Sequence, residues 1–371
     1  MNDDTMKINY DDLLLDVAYQ PQIKTSRSTR SLMLDVIIAL MPSLIAGVWQ
    51  FGAHILIMIG ASVCSCVFFE WAYRKLMKKD NRIGDLSAVV TGLILGLSMP
   101  CSVKWWVTVV GAFFAIVIVK QLYGGIGKNF LNPALAGRAF LLASYPAVLS
   151  TFIPPNGLTV SPDSITMATP WASSIDGVTM ATPLTYLYGG KPLPDVYTFK
   201  NLFLGFMPGS VGEVSTLAIL IGLAYLLIRR VISWRIPVSF IGTVALLTLI
   251  FGKEGYGNGE WMLYNLLTGS LLYGAVFMAT DYATSPVTRP GQFLYGVGCG
   301  ALTVFIRYFG GFPEGTTYGI LIMNLTTWSI DKLFNRRQFG AKKRIKVYYS
   351  NRAEYYEKLA EKYRAKAGED D

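Results

Sequence analysis

SLMLDVIIALMPSLIAGVWQFGAHILIMIGASVCSCVFFEW, residues 31–71, contains no lysine or arginine. A helix needs about 20 mainly apolar residues to cross the hydrocarbon core of a bilayer. The stretch therefore reads as two spans, near 31–50 and 52–71. Working outward from it, further apolar blocks lie near 86–100, 104–120 and 133–150, then near 211–228, 236–252, 262–280, 291–309 and 313–332. The expectation is an all-α polytopic membrane protein with about ten transmembrane helices. Composition agrees: of 371 residues, 52% are hydrophobic and 15% charged, where a globular domain carries about 25% charged residues. So few charges cannot cover the surface of a soluble protein this long, and apolar residues in long blocks exclude a disordered chain. Four cysteines with no CxxC pair form no disulfide framework. The polar opening MNDDTMKINYDD does not read as a signal peptide.

The formal net charge of +9 acquires meaning from where it lies. With the N-terminus inside, 27 of the 33 lysines and arginines fall in inner segments and five in outer ones, with Arg138 inside a span. That split follows the positive-inside rule for ten spans with both termini cytoplasmic, and it gives no reason to expect nucleic acid. The chain divides into an inner N-terminal segment (1–30), five spans (31–150), a long outer loop (151–210), five more spans (211–333) and a charged inner tail (334–371). The tail's YYSNRAEYYEKLAEKYRAKA, residues 348–367, reads as a polar helix at the inner surface, suited to docking a partner.

Two sets of five spans have opposite topology, which is the arrangement of an inverted repeat. TGLILGLSMP (91–100) in the third span has a counterpart in TGSLLYGAVFMATD (268–281) of the eighth. LYGGIGKNFLNPALAG (122–137) after the fourth is matched by RYFGGFPEGTTYGILIMN (307–324) after the ninth. Short segments interrupted by Gly or Pro in equivalent positions are where such folds place a central site.

Few residues can carry chemistry. His54 is the single histidine, so this chain alone builds no bis-histidine haem, and His54 reads as an interfacial residue. Cys64 and Cys66, two apart on a helix, point to opposite faces and cannot share a metal. Gly124, Gly125, Gly127 and Lys128 lack the P-loop spacing, with Leu122 and Asn129 where Gly and Ser/Thr are needed. They read instead as a broken helix whose freed backbone groups Asn129 and Asn132 can satisfy. Gly92 and Gly96, four apart, mark a close helix contact. Acids at membrane depth are functional candidates, and Asp281, Asp35 and Asp331 qualify. Asp281 leads, because Thr284, Ser285 and Pro286 follow it and offer hard oxygen ligands for a cation such as sodium. In the outer loop, DSITMATPWASSIDGVTMATPLTYL (163–187) holds D-x-x-T-M-A-T-P twice, from Asp163 and from Asp176. Taken alone it is a pair of threonine-rich turns; taken as a modification site, its threonine hydroxyl in an accessible, flexible turn can accept a phosphate-bearing group.

Taken together, STRSLMLDVIIALMP, SAVVTGLILGLSMP, KQLYGGIGKNFLNPALAG, IDGVTMATPLTYL, FMATDYATSPVTRPGQFLYG and IRYFGGFPEG resemble the D-type membrane component (RnfD) of the Rnf ion-translocating electron-transport complex. More distantly they resemble the B-type membrane component of the sodium-pumping NADH:quinone oxidoreductase, whose S-G-A-T form and longer N-terminal region are not present here. The resemblance implies a ten-helix bacterial inner-membrane protein with covalent flavin mononucleotide (FMN) on an outer-loop threonine, attached by a separate flavin transferase. Carried onto this chain, the D-x-x-[ST]-x-A-T motif is Asp176, Thr179, Ala181 and Thr182, with Thr182 bearing the FMN. Thr169-Pro170-Trp171 ends the earlier copy without the Leu that follows Pro183, and Met180 stands where glycine is frequent. A second, non-covalent flavin, riboflavin, is also implied. The complex would couple electron flow between ferredoxin and NAD to sodium or proton movement, with the other Rnf subunits as partners and this chain not catalytic alone. The alternatives are a channel or transporter of the same inverted-repeat fold without a redox role, the quinone-reductase homologue, and a structural membrane anchor.

Overall fold

The computed structural model describes residues 28–80, 83–155, 158–160, 165–167, 180–189, 192–310, 314–334, 356–357 and 360. Asp163, Thr169, Asp176 and Thr179, the N-terminal segment to residue 27 and most of the charged tail lie outside the described residues.

Helix α1 (Thr29–Phe51) starts at Ser28, whose Oγ accepts the Ser31 N–H at 3.2 Å, an ordinary N-cap. At 1.5 Å per residue its 23 residues reach roughly 34 Å, enough to cross a bilayer. α2 (Ile55–Leu76) is nearly as long. After these two, the helices shorten: α3 (Ser87–Leu97), α4 (Trp105–Phe113), continued by π-helical turns over Phe114–Gln121, α5 (Pro133–Ser144) and α6 (Pro146–Leu149). The segment between the two sets of helices holds β1 (Leu158–Val160) antiparallel to β2 (Ile165–Met167), then α7 (Pro183–Tyr188) and α8 (Phe199–Leu204). The second half contains α9 (Thr216–Ile228), α10 (Arg235–Ile250), α11 (Asn258–Leu267) and α12 (Leu271–Tyr273), which runs into π-helical turns over Gly274–Met278. α13 (Arg289–Phe309) and α14 (Thr316–Leu333) close it.

The structure departs from, or stops short of, the expectation in three respects. The fold is helical but not purely so, because the segment between the two sets of helices carries the short β1–β2 pair. Only α1 and α2 among the described helices are individually long and apolar enough to cross a membrane, and α11 with α12 forms a third candidate span, bent by 62°. The block near 86–100 is an 11-residue helix, about half a bilayer long; it stops before Pro100, which has no N–H to continue it. The block near 133–150 is interrupted at Tyr145–Pro146 for the same reason. The third change concerns the paired TG dipeptides. Thr91 and Gly92 lie inside α3, whereas Thr268 and Gly269 form the break between α11 and α12, with Gly269 at φ +74°.

Packing nevertheless follows one scheme in each half. α2 packs on α3 and α4 while α10 packs on α11 and α13; α4 meets α5 as α13 meets α14; and α1 crosses α9 between the halves. Small residues permit the close approaches. A Cβ on Gly92 would lie 2.6 Å from the Val63 Cα of α2, and one on Gly300 of α13 would lie 2.8 Å from the Thr243 Cβ of α10. Large apolar side chains such as Ile45, Ile57, Leu76, Ile228, Phe305 and Trp328 stay exposed. A soluble monomer does not expose so many; they are the face a lipid environment covers.

Candidate functional site

The end of the threonine motif, from Met180, and the helix after it dock where the second half is broken. The Met180 N–H donates to the Phe152 carbonyl at 2.9 Å, and Ala181 is exposed. Thr182 then acts as N-cap of α7: its Oγ1 accepts the Thr185 N–H at 3.4 Å and shares a 2.9 Å hydrogen bond with Thr185 Oγ1. Pro183 occupies the first turn, where a missing N–H costs nothing. The accessible, flexible turn expected for this hydroxyl is therefore a buried cap, with Thr182 only 6% exposed. Leu184, fully buried, lies against Gly269 at the break. Tyr188 Oη donates to Asn265 Oδ1 at 2.6 Å. Arg307 in turn donates from Nη1 to the Asn265 carbonyl at 2.8 Å and from Nη2 to the Thr268 carbonyl at 3.4 Å. Carbonyls freed by the break are thus answered by a buried guanidinium, and α7 is pinned over them. Burial raises the Tyr188 phenol above its ordinary pKa, so it stays a hydrogen-bond donor.

Thr182 is compatible with a phosphoester. Esterification removes the hydroxyl proton but leaves lone pairs on Oγ1, so the Thr185 N–H keeps its acceptor, and Thr185 Oγ1 can itself supply the proton of their shared bond.

A second site lies at the seam between the halves, a cavity of about 90 Å³ lined in part by Thr91, Lys120, Asn129, Asn132, Thr280 and Asp281. It has polar partners and room for several waters. Two π-helical segments lead into it, Phe114–Gln121 placing Lys120 and Gly274–Met278 running toward Asp281; such insertions are frequent at functional sites. Lys120 Nζ is 2.8 Å from Glu70 Oε2 and 2.6 Å from Ser87 Oγ, and Gln121 Nε2 donates to Glu70 Oε1 at 2.9 Å. Asp281 accepts from Thr284 Oγ1 at 3.1 Å. Asn132 caps α5 through Oδ1 and donates from Nδ2 to the Met278 carbonyl at 3.1 Å, joining the halves. Gly124, Gly125 and Gly127 have φ of +109°, +92° and +81°, which is the sharp turn read from the sequence.

The other acids sit elsewhere. Asp35 of α1 is buried against Arg229, 3.3 Å from Nε, and accepts from Tyr225 Oη at 3.0 Å; it does not line the cavity. Asp331 accepts the Val287 and Thr288 N–H groups at 3.1 and 3.3 Å and so holds the turn that leads into α13. His54 precedes α2 at an exposed position, and Cys64 is exposed while Cys66 is buried. No group of three or more His, Cys, Asp or Glu suited to a metal occurs among the described residues.

The Glu70–Lys120 pair and a second buried group were not anticipated. In the latter, Arg138 of α5 lies 2.6 Å from Glu314 and 3.8 Å from Glu213. Their signal was present as single charged residues in apolar runs. Lys120 and Arg307 were instead counted as charges of aqueous segments, and both are 2% exposed.

Fold and site define a helical membrane protein with broken helices around a polar seam and a capped threonine docked over one of the breaks. The chain belongs to the NQR2, RnfD, RnfE family, whose model matches residues 16–340. It is 42% identical over 334 residues, 90% of this chain and 97% of the relative, to the D subunit of the Na(+)-translocating ferredoxin:NAD(+) oxidoreductase complex of Acetobacterium woodii. It is 37% identical over 328 residues (88% and 96%) to the D subunit of the proton-translocating ferredoxin:NAD(+) oxidoreductase complex of Clostridium ljungdahlii. Identity to the D subunit of the ion-translocating oxidoreductase complex of Salmonella arizonae is 33% over 351 residues (88% and 99%).

Proposed function

We propose that this chain is the flavin-carrying membrane subunit of a redox-driven ion pump that moves electrons between ferredoxin and NAD while sodium or protons cross the bacterial inner membrane. The observation that carries the reading is Thr182, which ends the D-x-x-T-M-A-T pattern and sits as a pinned cap over the broken helix pair. The two halves act as inverted five-helix repeats, ten crossing segments in all. The matching packing of α2 with α3 and α4, and of α10 with α11 and α13, supports this. The basic residues on one side favour cytoplasmic termini and an outer loop bearing Thr182.

A flavin transferase would move the FMN half of FAD onto Thr182 Oγ1, breaking the pyrophosphate bond so that AMP leaves and the hydroxyl proton is lost to water, with Asp176, Thr179 and Ala181 as its recognition motif. Once bound, flavin supplies one- and two-electron chemistry, and the protein sets position, potential and access. Thr182 holds the phosphate ester, Thr185 retains its hydrogen bond to the ester oxygen, and α7 fixes both over the break. Riboflavin would serve as a second, non-covalent flavin, and the other subunits of the complex would pass electrons on. Asp281, in the seam cavity with Lys120 held by Glu70, is the acid proposed for the ion path; Asp35, neutralised by Arg229, would be a structural neighbour of that path.

Incubation with a flavin transferase and FAD should leave a fluorescent band on a denaturing gel, and Thr182→Ala should remove it. Full labelling of the alanine variant would refute the site and direct attention to Thr169.

A further inference from the structure

Beside α7, outside the seam, a pocket of about 610 Å³ opens between the segment after α7 and the turn before α11, lined in part by Leu187, Tyr197, Lys253, Tyr256 and Tyr264. That volume is in the range of small-molecule sites, and an aromatic wall with a few polar groups is their usual chemistry. Tyr264 is stacked on Phe199 with ring centroids 4.7 Å apart, and Tyr256 stands edge-on to it at 6.0 Å. Lys253 Nζ donates to the Leu187 carbonyl at 2.5 Å and lies 5.7 Å from the centre of the Trp261 ring, so it ties the end of α7 to the pocket wall. Tyr197 is 1% exposed, and its hydroxyl has no hydrogen-bond partner among the described residues. A buried hydroxyl left unpaired is costly, and this one belongs to a side chain that lines an open pocket. Burial holds its phenol above the ordinary pKa, so it is available as a donor.

We propose that this pocket receives the isoalloxazine ring of the flavin carried on Thr182, with the Tyr197 side chain turning its buried, unpaired hydroxyl toward a ring heteroatom and Tyr256 forming part of the wall beside the ring. The proposal rests on attachment at Thr182. Leu187 of the lining is five residues along α7 from Thr182, about 7.5 Å at the helical rise, and the ribityl phosphate arm, five carbons and a phosphate, is longer than that. The ring is flat and aromatic with carbonyl and ring-nitrogen acceptors at its polar end, which suits phenol walls and a single buried donor. Asp195, Glu254 and Glu260 also line the opening; they favour a neutral ring over a second anion, so the phosphate stays at the far end of α7.

The full chain, flavinylated and purified in detergent, provides the test. Covalent flavin is read on a denaturing gel; the emission and visible absorption of the folded protein are read alongside. Phenols close to an excited flavin quench it, so Tyr256→Leu should leave labelling undiminished and brighten the folded protein severalfold. Tyr197→Phe, which keeps the ring and removes only the hydroxyl, should shift the visible band without loss of label. Labelled protein whose folded-state emission and absorption are the same in wild type and both variants would overturn the pocket while leaving the attachment intact. A wild-type chain that takes no flavin at Thr182 would overturn the attachment, and this proposal with it.

Discussion

Thr182 caps α7, and mutagenesis can separate that role from the flavin attachment proposed for it. As N-cap of α7, its replacement by alanine should cost about 1 kcal/mol of local stability, whereas the loss of covalent flavin should be complete. Thr182→Ser keeps the capping oxygen and a hydroxyl to esterify, so both properties should persist, measured by denaturing-gel fluorescence and protease resistance of the 180–189 segment. Because Thr182 is buried in the docked segment, a flavin transferase would have to act before α7 settles or after it lifts. Flavin incorporation into the chain during synthesis should therefore outpace incorporation into folded protein, and equal rates would contradict this. Asp281 can be examined apart from the flavin. Asp281→Asn should lower ion-coupled activity with labelling unchanged, and unaltered sodium dependence would remove Asp281 from the path. Glu70 is a harder case: it is fully buried with Lys120 at 2.8 Å and Arg74 at 3.6 Å. Removing one partner of a buried pair costs about 3–5 kcal/mol, so Glu70→Leu should unfold markedly earlier in a detergent melt. Pairing it with Lys120→Met should recover much of that loss.

At the scale of elements, the informative helices are the short ones. Apolar length alone read 86–100 and 262–280 as spans, because hydropathy averages over a window and does not sense where the backbone turns. Pro100 and the Thr268-Gly269-Ser270 break decide that, and the consequence is three-dimensional. Gly269 adopts φ +74°, and a Cβ there would lie 3.1 Å from Leu184 of the docked α7. A left-handed conformation costs a side-chain-bearing residue about 1–2 kcal/mol, so Gly269→Ala should lower the melting temperature and loosen α7, seen as faster proteolysis near Tyr188. Gly92 differs in mechanism. It sits in a regular helix, and its alanine variant would force α3 away from Val63 of α2, an overpacking cost of about 1–3 kcal/mol. The Gly92/Gly96 contact and the glycine turn at 124–127 were legible in the sequence, because each depends on local residue type. Thr182 was also legible as a position; its burial was not, since that depends on Leu184 and Tyr188 meeting residues some 80 positions away in the chain.

For the whole molecule, composition and the one-sided distribution of lysine and arginine were enough to place the chain in a membrane, because lipid sets a simple requirement that long runs of residues be apolar. Motif order was enough to relate it to its family. The tertiary structure decided which polar residues inside those runs meet. Lys120, counted from the sequence among inner-surface charges, is held by Glu70 at the seam; Arg307, counted as outer, answers carbonyls freed by the break; Arg138 joins Glu213 and Glu314. Hydropathy and residue type are properties of single positions and near neighbours, so the sequence by itself determined the membrane class, the orientation expected from charge, and the choice of Thr182 as the proposed attachment site. The pairing of buried charges, the half-length helices that face one another across the seam, and the pocket beside α7 arise from contacts between distant segments, and only the packed fold could bring those together.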